Sequence, residues 1–149
     1  MASIVRSYTT DTNVPIIVHV AIDVSQTINV GDLVQIDATS RKGEVAVAAS
    51  TTIVGIAMEP ITTGGTVTDA DTIPVALVRG QVVRIAYATG GTKTSFADTD
   101  KYTTAYDLSN KTTLNPDDTT GGMCYVQDYD NTQDTVDVIF AAASLANVG

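Results

Sequence analysis

The chain has 149 residues, a formal net charge of −9, eight basic residues and one cysteine. Such a length predicts one domain that buries about 70% of its unfolded surface without staples, and a lone cysteine excludes an internal disulfide. Among the basic residues only Arg41 and Lys42 are adjacent, so the chain lacks the basic face that binding to nucleic acid or an anionic membrane requires.

All but Glu44 and Glu59 of the 17 acidic residues are aspartate, and threonine is abundant. Threonine favours strands, aspartate favours turns, and both disfavour helix interiors. The expected fold class is therefore all-β: a single antiparallel β-sandwich or partly closed barrel with Asp-rich loops.

Residues 1–28 read as an extended N-terminal arm, and 29–149 as the β-domain. Met1 to Asn13 is polar and turn-like, with no apolar core of signal-peptide length. Val14 to Val24 is β-branched, and Pro15 restricts it to a strand beginning or an edge. No turn signal pairs this stretch with a local neighbour, so its partner is expected far away or on another chain. Val14, Ile16, Ile17, Val18 and Val20 are the candidate partner-binding residues of the arm, able to add a strand to a sheet edge. Pairing within its own domain is the alternative.

From Val30 the strand signals come regularly. Val30 to Asp37 alternates, with Val34 and Ile36 on one face. Ser40 to Gly43 is a polar turn, and Glu44 to Ala48 returns. Ile53 to Glu59 is a near-continuous apolar run whose two faces should both be covered. Within it Gly55 marks a close approach of another backbone. Pro60 ends that strand. Ile73 to Val78 follows, and Arg79-Gly80 predicts a tight hairpin into Gln81 to Ala88. There Val83, Ile85 and Tyr87 share one face.

Thr89 to Thr104 is a Thr- and Asp-rich insert, with a short helix possible from Asp98. Strands are expected over Tyr102 to Leu108, Met123 to Tyr129 and Thr135 to Ala141, with Val136, Val138 and Phe140 inward in the last. Ala142 to Gly149 reads as one helical turn or an extended strip. No segment carries a long 3.6-residue apolar period, so no helical layer is expected.

The chain also states one phrase twice. Gly31 to Val78 and Ala105 to Ala141 read as two diverged copies of a strand–turn–strand–strand unit. Asp71-Thr72-Ile73 with Val75 answers Asp134-Thr135-Val136 with Val138, and Gly55 and Gly122 each open an apolar run. Two diverged halves, about 31–78 and 105–141, suggest one β-domain built from related units.

The residues carry little chemistry. His19 is the only histidine, and with Cys124 it fixes no geometry for nucleophilic catalysis. One His and one Cys do not make a four-ligand zinc site. Asp98 with Asp100, Asp117 with Asp118, and Asp128 with Asp130 and Asp134 are carboxylate groups of the kind calcium prefers, but none follows the twelve-residue calcium loop. Turn aspartates bonding their own backbone explain them. Gly64-Gly65, Gly90-Gly91 and Gly121-Gly122 lack the following lysine of phosphate cradles. Cys124 reads as a small buried thiol suited to a reducing cytoplasm. No catalytic, cofactor-binding or metal-ligating residue is assigned, and no enzyme activity is expected.

The order Gly31-Asp32-Leu33-Val34, a turn at Lys42-Gly43, Val54-Gly55-Ile56-Ala57, Val75-Ala76-Leu77-Val78 running into Arg79-Gly80-Gln81-Val82-Val83, and a closing Thr135 to Phe140 resembles the head decoration (cement) proteins of tailed bacteriophages. The resemblance covers about residues 30–141 and departs at the 89–104 insert. It implies a β-tulip or jelly-roll-like body, a homotrimer on the exterior of an expanded capsid, and the major capsid protein as partner. It implies synthesis in the host cytoplasm and a clamping role without chemistry, nucleic acid or membrane. The alternative is a virion or cell-surface adhesion module that binds glycans through its loops. If three such acidic chains meet, aspartates are expected on outer loops and away from the axis. On the arm reading, removal of residues 1–24 would leave a folded body that no longer attaches.

Overall fold

The computed structural model describes residues 1–8 and 14–148; the stretch 9–13 of the turn-like opening lies outside them. Within the described residues the chain forms β1 (Ser3–Ser7), β2 (Ile17–Ala21), β3 (Thr27–Ile28), β4 (Leu33–Ile36), β5 (Gly43–Val45), β6 (Ile53–Ala57), β7 (Ile61–Thr62), β8 (Thr72–Leu77), β9 (Gln81–Tyr87), β10 (Ala105–Asn110), β11 (Thr113–Asn115), β12 (Cys124–Asp130) and β13 (Thr135–Phe140). Single 3-10 turns stand at Asp98–Asp100 and Ala142–Ser144. The all-β expectation therefore holds, and alternation sets the inward faces. Val136, Val138 and Phe140 of β13, and Val83, Ile85 and Tyr87 of β9, all lie in one core.

The strands close into two small barrels. In the C-terminal one the order is β9-β11-β10-β12-β13, and β13 pairs back onto β9 to complete a ring. In the N-terminal one the order is β2-β8-β6-β4-β5. A single parallel bridge from Ile22 to Gly43 partly closes it, supported by the Asp23 N–H donating to the Gly43 carbonyl at 2.9 Å. β1 joins the first half of the free edge of β9, and β11 occupies the second half.

These barrels have one topology. β4 and β5 form a hairpin, β6 pairs with the other edge of β4, and β8 pairs with β6. Likewise β10 and β11 form a hairpin, β12 pairs with the other edge of β10, and β13 pairs with β12. The equivalence extends one strand upstream in each unit. β2 is antiparallel to β8 as β9 is to β13, and Ile22 meets β5 in parallel as β9 meets β11. The repeat is thus five strands long, about residues 17–78 and 81–141.

Three expectations need correction. The arm does not run to residue 28. β2 pairs along its length with β8, from Ile17 with Ala76 to Ala21 with Thr72, because its alternate residues Val18, Val20 and Ile22 are needed inside the N-terminal barrel. The Arg79-Gly80 turn is tight, with Gly80 at φ +75° and Gln81 N–H donating to the Val78 carbonyl, yet it makes no hairpin. Both edges of β8 are taken by β2 and β6, so the turn passes the chain from one barrel to the other. The sheets are also not wholly antiparallel, since β9 and β11 run parallel.

Two apolar clusters fill the structure. One lies inside the N-terminal barrel around Ile22, Ile28, Val34, Val54, Ile73 and Val75. The other fills the C-terminal barrel and extends to Leu33, Ala46, Ile53 and Ile56 from β4 to β6. β4 and β6 thus give one face to each cluster, which explains why Ile53–Ala57 is buried at every position. Polar ties reinforce the join. The buried Asp107 carboxylate accepts from the Ala49 N–H, and Lys111 Nζ lies 2.7 Å from the buried Asp32 Oδ2. The Ala146 N–H donates to the Ile53 carbonyl at 2.8 Å.

Gly55 occupies the tightest crossing. A Cβ there would overlap the Ala76 carbonyl oxygen of the paired strand, and backbone in mid-sheet does not yield cheaply. Gly55→Ala is expected to lower stability by about 1–3 kcal/mol, read as a reduced urea midpoint at unchanged slope.

Candidate functional site

The five arm residues divide between inside and outside. Val20 is buried and Val18 packs against the core of the N-terminal barrel. Val14, Ile16 and Ile17 are exposed. Strand alternation forces this split: in β2 one set of side chains must fill the barrel, leaving Ile17 and His19 outside. Ile16 is held in place by its carbonyl, which accepts the Leu77 N–H at 2.9 Å. Met1, Val30 and Met58 are also exposed and come from three other places in the chain; the sequence reading did not single them out as surface residues. The sequence pattern placed Val30 and Met58 within strand runs, and only the fold leaves them outside.

A second surface feature is β1. Its inner edge pairs with β9, with the register shifting between Ile4 and Arg6. Over residues 3–6 no described strand pairs with its outer edge. Ile4 packs against the C-terminal core, and the register shift after it leaves Val5 and Arg6 both exposed, as is Ser3.

The 89–104 insert has a structural role at the C-terminal barrel. Phe96 is buried, with its ring edge-to-face with Tyr87 at 5.0 Å and with Tyr106 at 5.2 Å. Asn131 clasps its backbone: the side-chain oxygen accepts from the Phe96 N–H and the Tyr87 hydroxyl, and its amide donates to the Phe96 carbonyl. Asp100 accepts from Lys93 Nζ at 2.8 Å, the Ala97 N–H at 2.8 Å and the Tyr106 hydroxyl at 3.0 Å. Burial, followed by the bond to Asp100, pushes the Tyr106 hydroxyl up to about 12.

Burial pushes the Asp100 carboxyl up, but the bonds from Lys93, Ala97 and Tyr106 outweigh it and hold the group below the usual carboxylate range. A depressed folded value means the stabilisation is complete above the unfolded pKa, about 3.9. It is lost as pH falls through the lower folded value. Asp100→Asn should therefore cost stability at neutral pH and flatten the acid limb of a plot of urea midpoint against pH. An acid limb as steep as wild type would show that Asp100 does not contribute to it.

The remaining candidates resolve into structure. Asp117 accepts the Thr92 and Lys93 N–H groups, Asp118 the Thr120 N–H, and Asp130 the Thr132 and Gln133 N–H groups. Asp98 and Asp128 both pair with Lys101, at 3.1 and 3.4 Å. No group of three or more His, Cys, Asp or Glu side chains suited to a metal ion occurs among the described residues. Cys124 is buried, and burial, then the Asp107 charge, pushes its thiol up and away from the reactive thiolate. His19 is exposed on the outside of β2, opposite Pro74, and is not brought near Cys124, which lies in the C-terminal core. No helix of the described residues is long and apolar enough to cross a membrane.

No known family model matches the chain, and no curated protein matches it in sequence.

Proposed function

We propose that the chain is a structural virion protein that binds the outer surface of an expanded phage capsid as a trimer and clamps neighbouring major capsid subunits. The observation that carries this reading is the outer edge of β1 over residues 3–6, which no described strand covers, on a body whose two barrels are joined through one apolar cluster. Such an edge is normally blunted or covered, because its unpaired N–H and C=O groups template another strand. Here it offers main-chain hydrogen bonds to an extended segment of a capsid subunit, with Val5 and Arg6 beside it to set register. Three such edges on one trimer act at high effective concentration, so individually weak contacts hold. The two-barrel body then serves as a stiff brace between the subunits it touches.

Co-sedimentation with expanded capsids tests this. The wild-type chain is expected to pellet with capsids. A variant lacking residues 1–7 keeps both rings, since neither ring includes β1, and is expected to remain in the supernatant. Wild type that stays in the supernatant, or a truncated chain that pellets equally well, would overturn the reading.

A further inference from the structure

Registered neighbours in a sheet share a face, so Leu33, Ile56, Ala76 and Ile17 form one apolar row across β4, β6, β8 and β2. This is the outer face of the N-terminal barrel. At the β4 end the row is sealed, with Leu33 and Ile56 in the core shared with the C-terminal barrel. At the β2 end it runs into open surface. Ile17 is 44% exposed; Ile16, next to it in the chain, is 66% exposed and Met58 is 47% exposed. A pocket of about 250 Å³ lies along this transition, walled by Ile4, Pro15, Val30, Ile56, Met58 and Ala76 among others. None of the side chains that line it is ionisable. Glu59 follows Met58 in the chain but lines no part of the pocket.

We propose that this face is a contact between copies of the chain. The charge decides the occupant. Two chains of net charge −9 repel wherever their aspartates approach, so copies must meet on a surface that holds none. A foreign partner recognising this protein gains register and encounter rate from complementary charge, which the side chains lining this pocket do not offer. Side chains near a rotation axis meet their own counterparts, and an uncharged apolar surface is its own match. Aspartates such as Asp37, Asp71 and Asp130 meanwhile sit at turns elsewhere, where they accept backbone N–H groups. The inference names the contact that the trimer proposed above requires, and rests on that part of the reading.

The double variant Ile16→Asp/Met58→Asp tests it by light scattering across a range of concentrations. Both side chains are exposed, so the thermal melt should match that of wild type. Wild type is expected at a multiple of the 15.5 kDa chain mass, and the variant at the single-chain mass. If the aspartates lower the melt, Ile16→Ser/Met58→Ser replaces them, with a weakened multimer as the expected result. Wild type at the single-chain mass throughout, or a folded variant that keeps the wild-type mass, would overturn the inference. Capsid co-sedimentation separates the two proposals. A wild-type multimer that ignores capsids retains this contact and removes the capsid reading; a single chain that pellets with capsids keeps capsid binding and removes this contact together with the trimer.

Discussion

Removal of residues 1–24 will unfold the N-terminal barrel instead of leaving an intact body. The deletion takes away β2 and Ile22, and with them Val20 at 5% and Ile22 at 0% exposure. Each buried aliphatic side chain contributes about 1.5–3 kcal/mol. The deletion also strips β8 of one of its two neighbours and removes the Ile22–Gly43 bridge that closes the barrel. The summed loss is comparable with the whole stability of a typical domain, about 5–15 kcal/mol. The expected result is an insoluble chain, or a soluble one without a cooperative melt by circular dichroism. A cooperative melt near that of wild type would mean that β2 is dispensable and that the arm extends as far as the sequence suggested. Removal of residues 1–7 is the informative contrast, because β1 lies outside both rings. That shorter deletion should melt cooperatively, at a temperature lowered by the loss of Ala2 and Ile4 from the shared core.

Phe96→Ala will produce the largest effect of any single substitution in the 89–104 insert, about 3–5 kcal/mol of lost stability. The side chain is 3% exposed and sits edge-to-face between two rings of the C-terminal barrel. Its loss leaves a cavity under Tyr87 and Tyr106, and removes two aromatic contacts that add to area burial. The hydrogen bonds of Asn131 and Asp100 hold the loop around the gap, so the site collapses only partly and the cavity penalty remains. Chemical unfolding should show the midpoint fall with little change in slope. A loss below about 1 kcal/mol would mean that the insert is a loosely attached loop whose aromatic residue is replaceable. Phe96→Leu should recover part of the loss, since it restores apolar volume without the ring geometry.

The insert was the least legible part of the chain. Its Thr, Gly and Asp content reads as loop, and loop it is. Nothing local announces that one phenylalanine within it is core, because its partners are Tyr87 before the insert, Tyr106 after it, and Asn131 in a later turn. The arm failed for a related reason. A β-branched run without a turn signal shows that its partner is distant, but not whether that partner lies on the same chain. Pairing with β8, more than fifty residues away in the chain, settled that. Of the five residues read as partner-binding, period-two alternation already implied that two faces exist. Only the barrel decided that Val18 and Val20 face inward while Ile17 faces out.

By itself the sequence determined the class of fold, the inward face of β13, the common face of Val83, Ile85 and Tyr87 in β9, and the close backbone approach at Gly55. It also determined the internal repeat and the use of aspartates in turns. These are local properties: propensity, a two-residue period and turn chemistry act over a few positions and leave marks that are read in place. Tertiary structure alone decided that the repeat has five strands, that each unit curls into its own barrel, and that the Arg79-Gly80 turn joins barrels instead of strands. It also decided which apolar residues remain outside. Those outcomes depend on which strand edges are already occupied when distant segments meet. Edge occupancy is a property of the assembled sheet, and no residue carries it alone.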